Sequence, residues 1–125
     1  MKAAEKYFKK ADEAIIALNF PDAQGIIDKE KKGYVSSFGA SVIQSGLLPA
    51  LAFSLRSDSD AQGRDKIIDA IAQILGKTDG KTLLIEAIRL KQEKENTTAF
   101  DQLKTQIINA SIALKLMMRT YEFSK

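Results

Sequence analysis

The sequence contains no cysteine, no histidine and no tryptophan, and only two prolines. Without cysteine there is no disulfide, no thiolate nucleophile and no thiolate zinc site, a composition that fits a reducing compartment. Histidine is the one side chain whose ordinary pKa lies near neutrality, and it is the commonest general base and metal ligand. Its absence excludes every His-dependent triad, dyad or zinc centre and leaves only carboxylates, Lys, Ser/Thr and Tyr for chemistry. The first ten residues, Met1 to Lys10, have no apolar core of the kind a signal peptide needs. The longest nearly apolar run, Leu47 to Leu55, falls well short of the ~20 residues of a membrane span. The expectation is a soluble, cytoplasmic chain with no membrane partner. Scarce proline and the lack of a Gly/Ser tract argue against disorder.

What is present is core material. Apolar residues make up 45% of 125 residues, a length that suits a single domain over residues 1–125 and hides roughly two-thirds of its unfolded surface. The net charge of +3, from 19 basic and 16 acidic side chains, permits contact with a phosphate backbone without demanding it.

The pattern along the chain is helical throughout. Ala4, Tyr7, Phe8, Ala11, Ala14, Ile15 and Leu18 recur at helical spacing and predict one amphipathic helix, ended at Asn19-Phe20-Pro21-Asp22. A second helix, beginning between Asp22 and Asp28, has Ile27, Tyr34, Val35, Phe38 and Val42 as its stripe. Gly33 and Gly39 lie inside it, each costing about 1 kcal/mol relative to alanine, and are candidate packing contacts. Ser45-Gly46 breaks the chain before a short buried helix over Leu47 to Leu55, with Pro49 in its first turn. Ser57 to Asp60 is a loop rich in capping residues. Ile67, Ile68, Ile71, Ile74 and Leu75 follow one helix face, with Gly76 as the C-terminal cap and Thr78-Asp79-Gly80 as the turn. Leu84, Ile85, Ala87 and Ile88 start a further helix, and Asn96-Thr97-Thr98 caps the next. That last helix has the strongest pattern: Phe100, Leu103, Ile107, Ala110, Leu114, Met117 and Tyr121 alternate by three and four residues. Ile108, Ile112 and Met118 widen the seam, which favours a bundle core over a free-standing coiled coil. No segment alternates with the period of a strand. The fold class expected is all-α, a compact single-domain bundle of about five to six helices.

No nucleotide, dinucleotide or calcium-loop motif is present. Gly76-Lys77-Thr78 matches only the tail of a phosphate-binding loop and follows a helix instead of a strand. Asp58, Asp60 and Asp65 could be imagined around a cation, but helix capping accounts for them. Glu86, Glu93 and Glu95 do not have the spacing of a catalytic pair. The expectation is therefore no enzyme, no catalytic residue, no cofactor, no metal and no small-molecule substrate. Basic clusters remain: Lys29, Lys31 and Lys32; Arg56 with Arg64 and Lys66; and Lys104, Ser111, Lys115 and Arg119, whose spacing returns to one helix face at about 3.6 residues per turn. Their ordinary role is a solvated surface with local ion pairs. Their alternative role is to follow a phosphate backbone as point charges. Tyr7, Tyr34, Phe38, Phe53 and Phe100 read as core, leaving no stacking platform for single strands.

The segment from Tyr34 through Val42, Gly46-Leu47 and Ala50-Leu51-Ala52-Phe53 resembles the signature of the small subunit of the type III-B CRISPR ribonucleoprotein, the Cmr complex. Gly46 makes the sharp break, and Leu47, Leu51 and Phe53 would carry the chain into the core. The stretch Ala110 to Arg119 is similar to that family's closing helix, and the likeness spans most of the chain. The resemblance implies a non-catalytic structural subunit in antiviral defence, with other Cmr subunits and further copies of itself as partners. It implies stacking along the groove where crRNA pairs with target RNA, with Lys29, Lys31, Lys32, Arg56, Lys115 and Arg119 as the candidate RNA contacts. A helical adaptor that binds only protein, through the apolar segment Leu47 to Phe53, is the competing reading. A small carboxylate-based enzyme is a third.

Overall fold

The computed structural model describes residues 2–56, 63–93 and 97–125. Among these, the order is α1 (Lys2–Glu5), α2 (Phe8–Ala17), β1 (Ile26–Ile27), α3 (Lys29–Ser45), α4 (Leu47–Leu55), α5 (Arg64–Ile74), α6 (Gly80–Gln92), α7 (Thr97–Met118) and β2 (Glu122–Phe123). The fold is all-α, with one more helical piece than the upper end of the sequence expectation. The first amphipathic segment is divided: Tyr7 leaves the regular helix and its N–H bonds Ala4 O at 3.0 Å, a tighter turn between α1 and α2.

Helix α5 organises the core. Ile67, Ile68, Ala70, Ile71, Ala72 and Ile74 are all buried, so beyond its first turn nearly the whole circumference is covered. The helix packs against α2, α3, α4, α6 and α7. The isoleucines fill the gaps, and Ala70 and Ala72, off the predicted stripe, let neighbouring helices come close. The α7 seam lies against the same core, with Leu103, Ile107, Ala110 and Leu114 buried along it. Buried side chains from every helix join one hydrophobic cluster.

The helix ends follow local chemistry. Asn19 takes a positive φ of 56°. The Phe20 N–H bonds Ile15 O at 3.0 Å and the Asn19 N–H bonds Ile16 O at 3.1 Å, which is a Schellman ending, with Phe20 and Ile15 both buried. Gly76, at φ 79°, ends α5 the same way, with the Lys77 N–H on Ala72 O at 2.8 Å. Asp28 caps α3 by accepting from the Glu30 N–H at 3.0 Å. Asp79 caps α6 by accepting from the Thr82 N–H at 2.9 Å, a bond that holds its carboxyl below the usual range. The loop from Ser57 to Asp60 and Asn96 lie outside the described residues.

Three expectations need correction. Ile27 does not belong to the α3 stripe: it lies in β1, which pairs in parallel with β2, Ile26 opposite Glu122 and Ile27 opposite Phe123. Strands of two residues are too short to leave an alternating pattern, so the sequence carried no sign of them. Helix α6 starts at Gly80, ahead of Leu84, and buries Leu83, Ala87 and Leu90 while Ile85 and Ile88 are exposed. Phe53 points away from the core and is 45% exposed, and Tyr7, Tyr34 and Phe100 are only half-buried.

The two kinds of glycine separate clearly. A Cβ at Gly33 would meet nothing within 4 Å, whereas one at Gly39 would meet Ser111 Oγ at an ordinary 3.8 Å. Gly80 is different: a Cβ there would lie 2.8 Å from Ile68 Cγ2, 2.9 Å from Leu55 Cδ2 and 3.1 Å from Asp69 Oδ1. Its N–H, one of the donors a helix start leaves unpaired, bonds Asp69 Oδ1 at 2.7 Å. Burial pushes the Asp69 carboxyl above the usual carboxylate range, with Asp65 and Asp79 adding to the effect and the Gly80 N–H opposing it.

This packing gives opposite expectations for two glycines. Gly33→Ala should stabilise the fold by about 0.5–1 kcal/mol through helix propensity, while Gly80→Ala should destabilise it by about 1–3 kcal/mol through overpacking. Thermal or urea unfolding of both variants reads the opposite signs, and a stabilising Gly80→Ala would show that α6 does not sit directly on α5. Leu114→Asp puts a charge at a position with no exposure, and without a partner it should abolish cooperative folding. A soluble variant with a sharp melting transition would place the seam in solvent.

Candidate nucleic-acid interface

The candidate residues sit on elements whose relative direction is fixed by two contacts. Gly39 of α3 faces Ser111 of α7, and the first N–H of α3, from Lys29, bonds Ser124 Oγ at 3.0 Å. Helices α3 and α7 are therefore antiparallel, and the start of α3 lies at the end where α7 finishes. Lys29, Lys31, Lys32, Lys115 and Arg119 all belong to that end.

The three lysines of α3 do not form one basic face. About 100° of rotation separates successive helical residues, and each lysine is held differently. Lys29 Nζ donates to Lys125 O at 3.0 Å. Lys31 Nζ lies 5.7 Å from the centroid of the Phe20 ring, and Lys32 Nζ lies 5.6 Å from that of Phe123. The C-terminal strand supports this arrangement: the Ser124 N–H bonds Ile27 O at 2.9 Å. The Tyr121 hydroxyl donates to Asp12 Oδ1 at 2.8 Å, and that carboxylate raises the tyrosine pKa.

The basic stripe expected on α7 is interrupted. Ser111 is only 5% exposed, and its hydroxyl donates to Ile108 O at 2.7 Å on the side facing α3. Its polarity marks a local hydrogen bond within a packed face instead of solvent. Lys104 and Lys115 are half-buried on either side of it, and Arg119 is exposed.

The sequence clustered Arg56 with Arg64, and the structure adds two aromatic rings to them. Arg56, just past α4, has its guanidinium carbon 4.3 Å from the centroid of the Phe53 ring. Arg64, the first residue of α5, lies 5.3 Å from the same ring and 4.7 Å from that of Tyr34 on α3. The Tyr34 hydroxyl bonds Glu30 Oε2 at 3.1 Å, and partial burial, then this carboxylate, raise its pKa. Gly63 completes the group. Its φ of 89° suits glycine, and a Cβ there would come within 2.9 Å of Tyr34 Cε2. The sequence named the arginines but assigned both rings to the core. One signal was available: Leu47, Ala50, Leu51 and Ser54 form the buried face of α4, which leaves Phe53 on the other side. The polar Ser54 within that face concealed it.

The other residues weighed for chemistry are placed as follows. Lys77, the lysine of the partial phosphate-loop match, pairs with Glu86 at 3.0 Å, and Glu93 pairs with Arg89 at 3.1 Å. Asp65 accepts from the Lys66 N–H at 3.0 Å, while Asp58 and Asp60 lie outside the described residues. Among the described residues no cluster of acidic side chains could hold a metal ion, and no helix is long and apolar enough to cross a membrane. The competing adaptor surface also changes: Leu47, Ala50 and Leu51 are buried, so that segment presents Pro49, Ala52 and Phe53.

The structure is an all-helical scaffold with cations held on aromatic rings at its surface. A profile of the family described as "CRISPR-associated protein (Cas_Cmr5)" matches residues 3–119, and the chain belongs to that family. Among solved structures, a CRISPR-associated Cmr5 family protein from Thermus thermophilus is similar, with a TM-score of 0.72 and 21% identity over 96% of this chain and 97% of that one. At that identity the likeness is one of fold. No curated protein matches the sequence.

Proposed function

We propose that this chain is a non-catalytic structural subunit of a type III-B CRISPR ribonucleoprotein, the Cmr complex. In this reading several copies stack along the groove in which crRNA pairs with target RNA, and cleavage belongs to other subunits. Lys29, Lys31, Lys32, Arg56, Lys115 and Arg119 meet backbone phosphates. The observation that carries the reading is the family match over residues 3–119. The gathering of the α3 and α7 cations at one end of the bundle supports it. Phosphate contacts of this kind give affinity without sequence readout. Each copy has little net charge, so affinity comes from several copies acting on one RNA at high effective concentration.

A protein-only adaptor remains the second reading because three isoleucines are widely exposed, Ile43 at 71% and Ile16 and Ile85 at 59%. Salt separates the two. Lys115→Glu with Arg119→Glu, made in the reconstituted complex, should lower target-RNA affinity and reduce the slope of log affinity against log salt by about 1.5, because two fewer phosphates are neutralised. The subunit should remain folded, since neither residue is part of the buried seam. Unchanged affinity and slope would count against RNA contact at this face. The purified chain should also leave RNA, DNA and nucleotides intact in magnesium or manganese. Hydrolysis that co-purifies with the chain, and disappears when Asp58, Asp60 or Asp65 is replaced by alanine, would overturn the non-catalytic reading.

A further inference from the structure

The break between α3 and α4, the last turn of α6 and the first turns of α7 border a cavity of about 360 Å³. That volume lies within the range of small-ligand pockets. Two kinds of surface meet in it. Leu48, Pro49 and Phe100 supply apolar carbon, and Lys91, Asp101 and Lys104 supply charge. Neither lysine is in an ion pair among the described residues. The Lys91 ammonium lies 4.9 Å from the centroid of the Phe100 ring, a contact that places the charge without spending an N–H on an acceptor oxygen. Lys104 is half-buried. Two like charges from different helices thus converge on one cavity, and their mutual repulsion adds nothing to stability. Two lysines and one aspartate leave the cavity with a single net positive charge.

We propose that this cavity captures the C-terminus of another polypeptide, one whose last residue is apolar. The terminal carboxylate takes hydrogen bonds from the ammonium groups of Lys91 and Lys104. The side chain on the same Cα lies against Leu48 and Pro49, and Asp101 offers an acceptor for a peptide N–H. The proposal goes beyond RNA contact and does not depend on it. Capture of a terminal carboxylate is a recurrent mode of peptide recognition, and each ammonium has three rotatable donors for it. The balance of charge and carbon selects this ligand. A single net positive charge matches one carboxylate, whereas a phosphate monoester carries about two negative charges and would face Asp101. A nucleic-acid strand brings further phosphates that Asp101 repels, and no apolar side chain for Leu48 and Pro49 to cover. An acidic side chain ends in its carboxylate and carries no apolar branch beside it. Only a chain terminus presents carboxylate and side chain from one carbon. The cavity is also separate from the proposed RNA contacts: Lys104 and Lys115 are about 16 Å apart along α7 at 1.5 Å per residue. One subunit can therefore hold a polypeptide and RNA together.

The test titrates the isotope-labelled full-length chain with an N-acetylated Gly-Ser-Gly-Ser-Leu peptide at millimolar concentration, followed by its backbone amide NMR signals. The free acid should shift the signals of Leu48, Lys91 and Lys104 saturably. The same peptide as its C-terminal amide should bind about 10- to 150-fold more weakly, the range for losing a hydrogen bond to a charged group. A peptide acid ending in glycine should also bind more weakly, because the apolar wall is then unused. Lys91→Met with Lys104→Met keeps the apolar stems and should abolish the difference between acid and amide. Melting curves check that this variant folds, and the acid–amide comparison on the unaltered chain needs no variant. Equal binding of acid and amide, of the leucine and glycine termini, or no binding at all would each overturn the site. So would an unchanged preference for the acid in the double variant. Inorganic phosphate or a short oligoribonucleotide shifting the same signals at lower concentration than the peptide acid would show a phosphate site instead, and would also overturn it. None of these outcomes involves Lys115 or Arg119, so failure here is distinct from failure of their RNA contact.

Discussion

The fold depends on a helix that has almost no wet face. From Ile67 to Ile74, α5 is covered on nearly every side, so the other helices are positioned by how closely each approaches it. Alanine at 70 and 72 and glycine at 80 set those approach distances. At Gly80 the limit is reached: α6 starts against Ile68 and Leu55, with its first N–H on Asp69. That bond satisfies a donor that would otherwise be buried unpaired, at the expense of a partly desolvated carboxylate. The sign of the pH effect follows. Because the folded state raises the Asp69 pKa, its contribution is most favourable where the group is protonated in the fold, and it declines as pH rises through the elevated value. Asp69 thus opposes acid unfolding while making a small unfavourable contribution at neutrality.

Much of the scaffold was legible because it is written in local periodicity. The α7 seam and the α5 stripe repeat at helical spacing, and Gly76 stops α5 because the left-handed residue of a Schellman ending favours glycine. What escaped was set by distant contacts. The β1–β2 pair joins residues 26–27 to 122–123, and two residues on each side leave no pattern to read. The run Leu47 to Leu55 is so uniformly apolar that hydropathy cannot say which side faces in, so Phe53 was placed in the core. Ser111 failed in the opposite sense: a polar residue at the angle of Lys104 and Lys115 suggested a solvated stripe, yet its hydroxyl is satisfied within its own helix. Side-chain polarity predicts exposure only when no backbone carbonyl is in reach.

The candidate site shows the same division. Its charges were found from the sequence because they are clustered in the sequence. Its rings were not, because Tyr34, Phe53 and Arg64 come from three helices and meet only after α3, α4 and α5 have packed together. The low identity to the Thermus thermophilus protein, with a well-matched fold, fits this separation of roles. Buried periodicity can be kept while surface residues change, so family membership constrains the frame more tightly than the contacts it presents.

The aromatic residues tie frame and surface together. Of the nine in the chain, six have a cation over the ring: Tyr7, Phe20, Tyr34, Phe53, Phe100 and Phe123. In a protein with few aromatics, most thus hold a lysine or arginine while also packing in or against the core, Phe53 excepted. At such exposed sites the attraction is small, about 0.5–1 kcal/mol, so it contributes little to folding. Its larger effect is on binding. A long cationic side chain immobilised on contact loses about 0.5–1.5 kcal/mol in freedom, and one already resting on a ring has lost part of that beforehand. In the structural role proposed for it, the subunit acts through the surface it presents. Holding its cations in place before the partner arrives is how a chain of modest net charge can make each of them count.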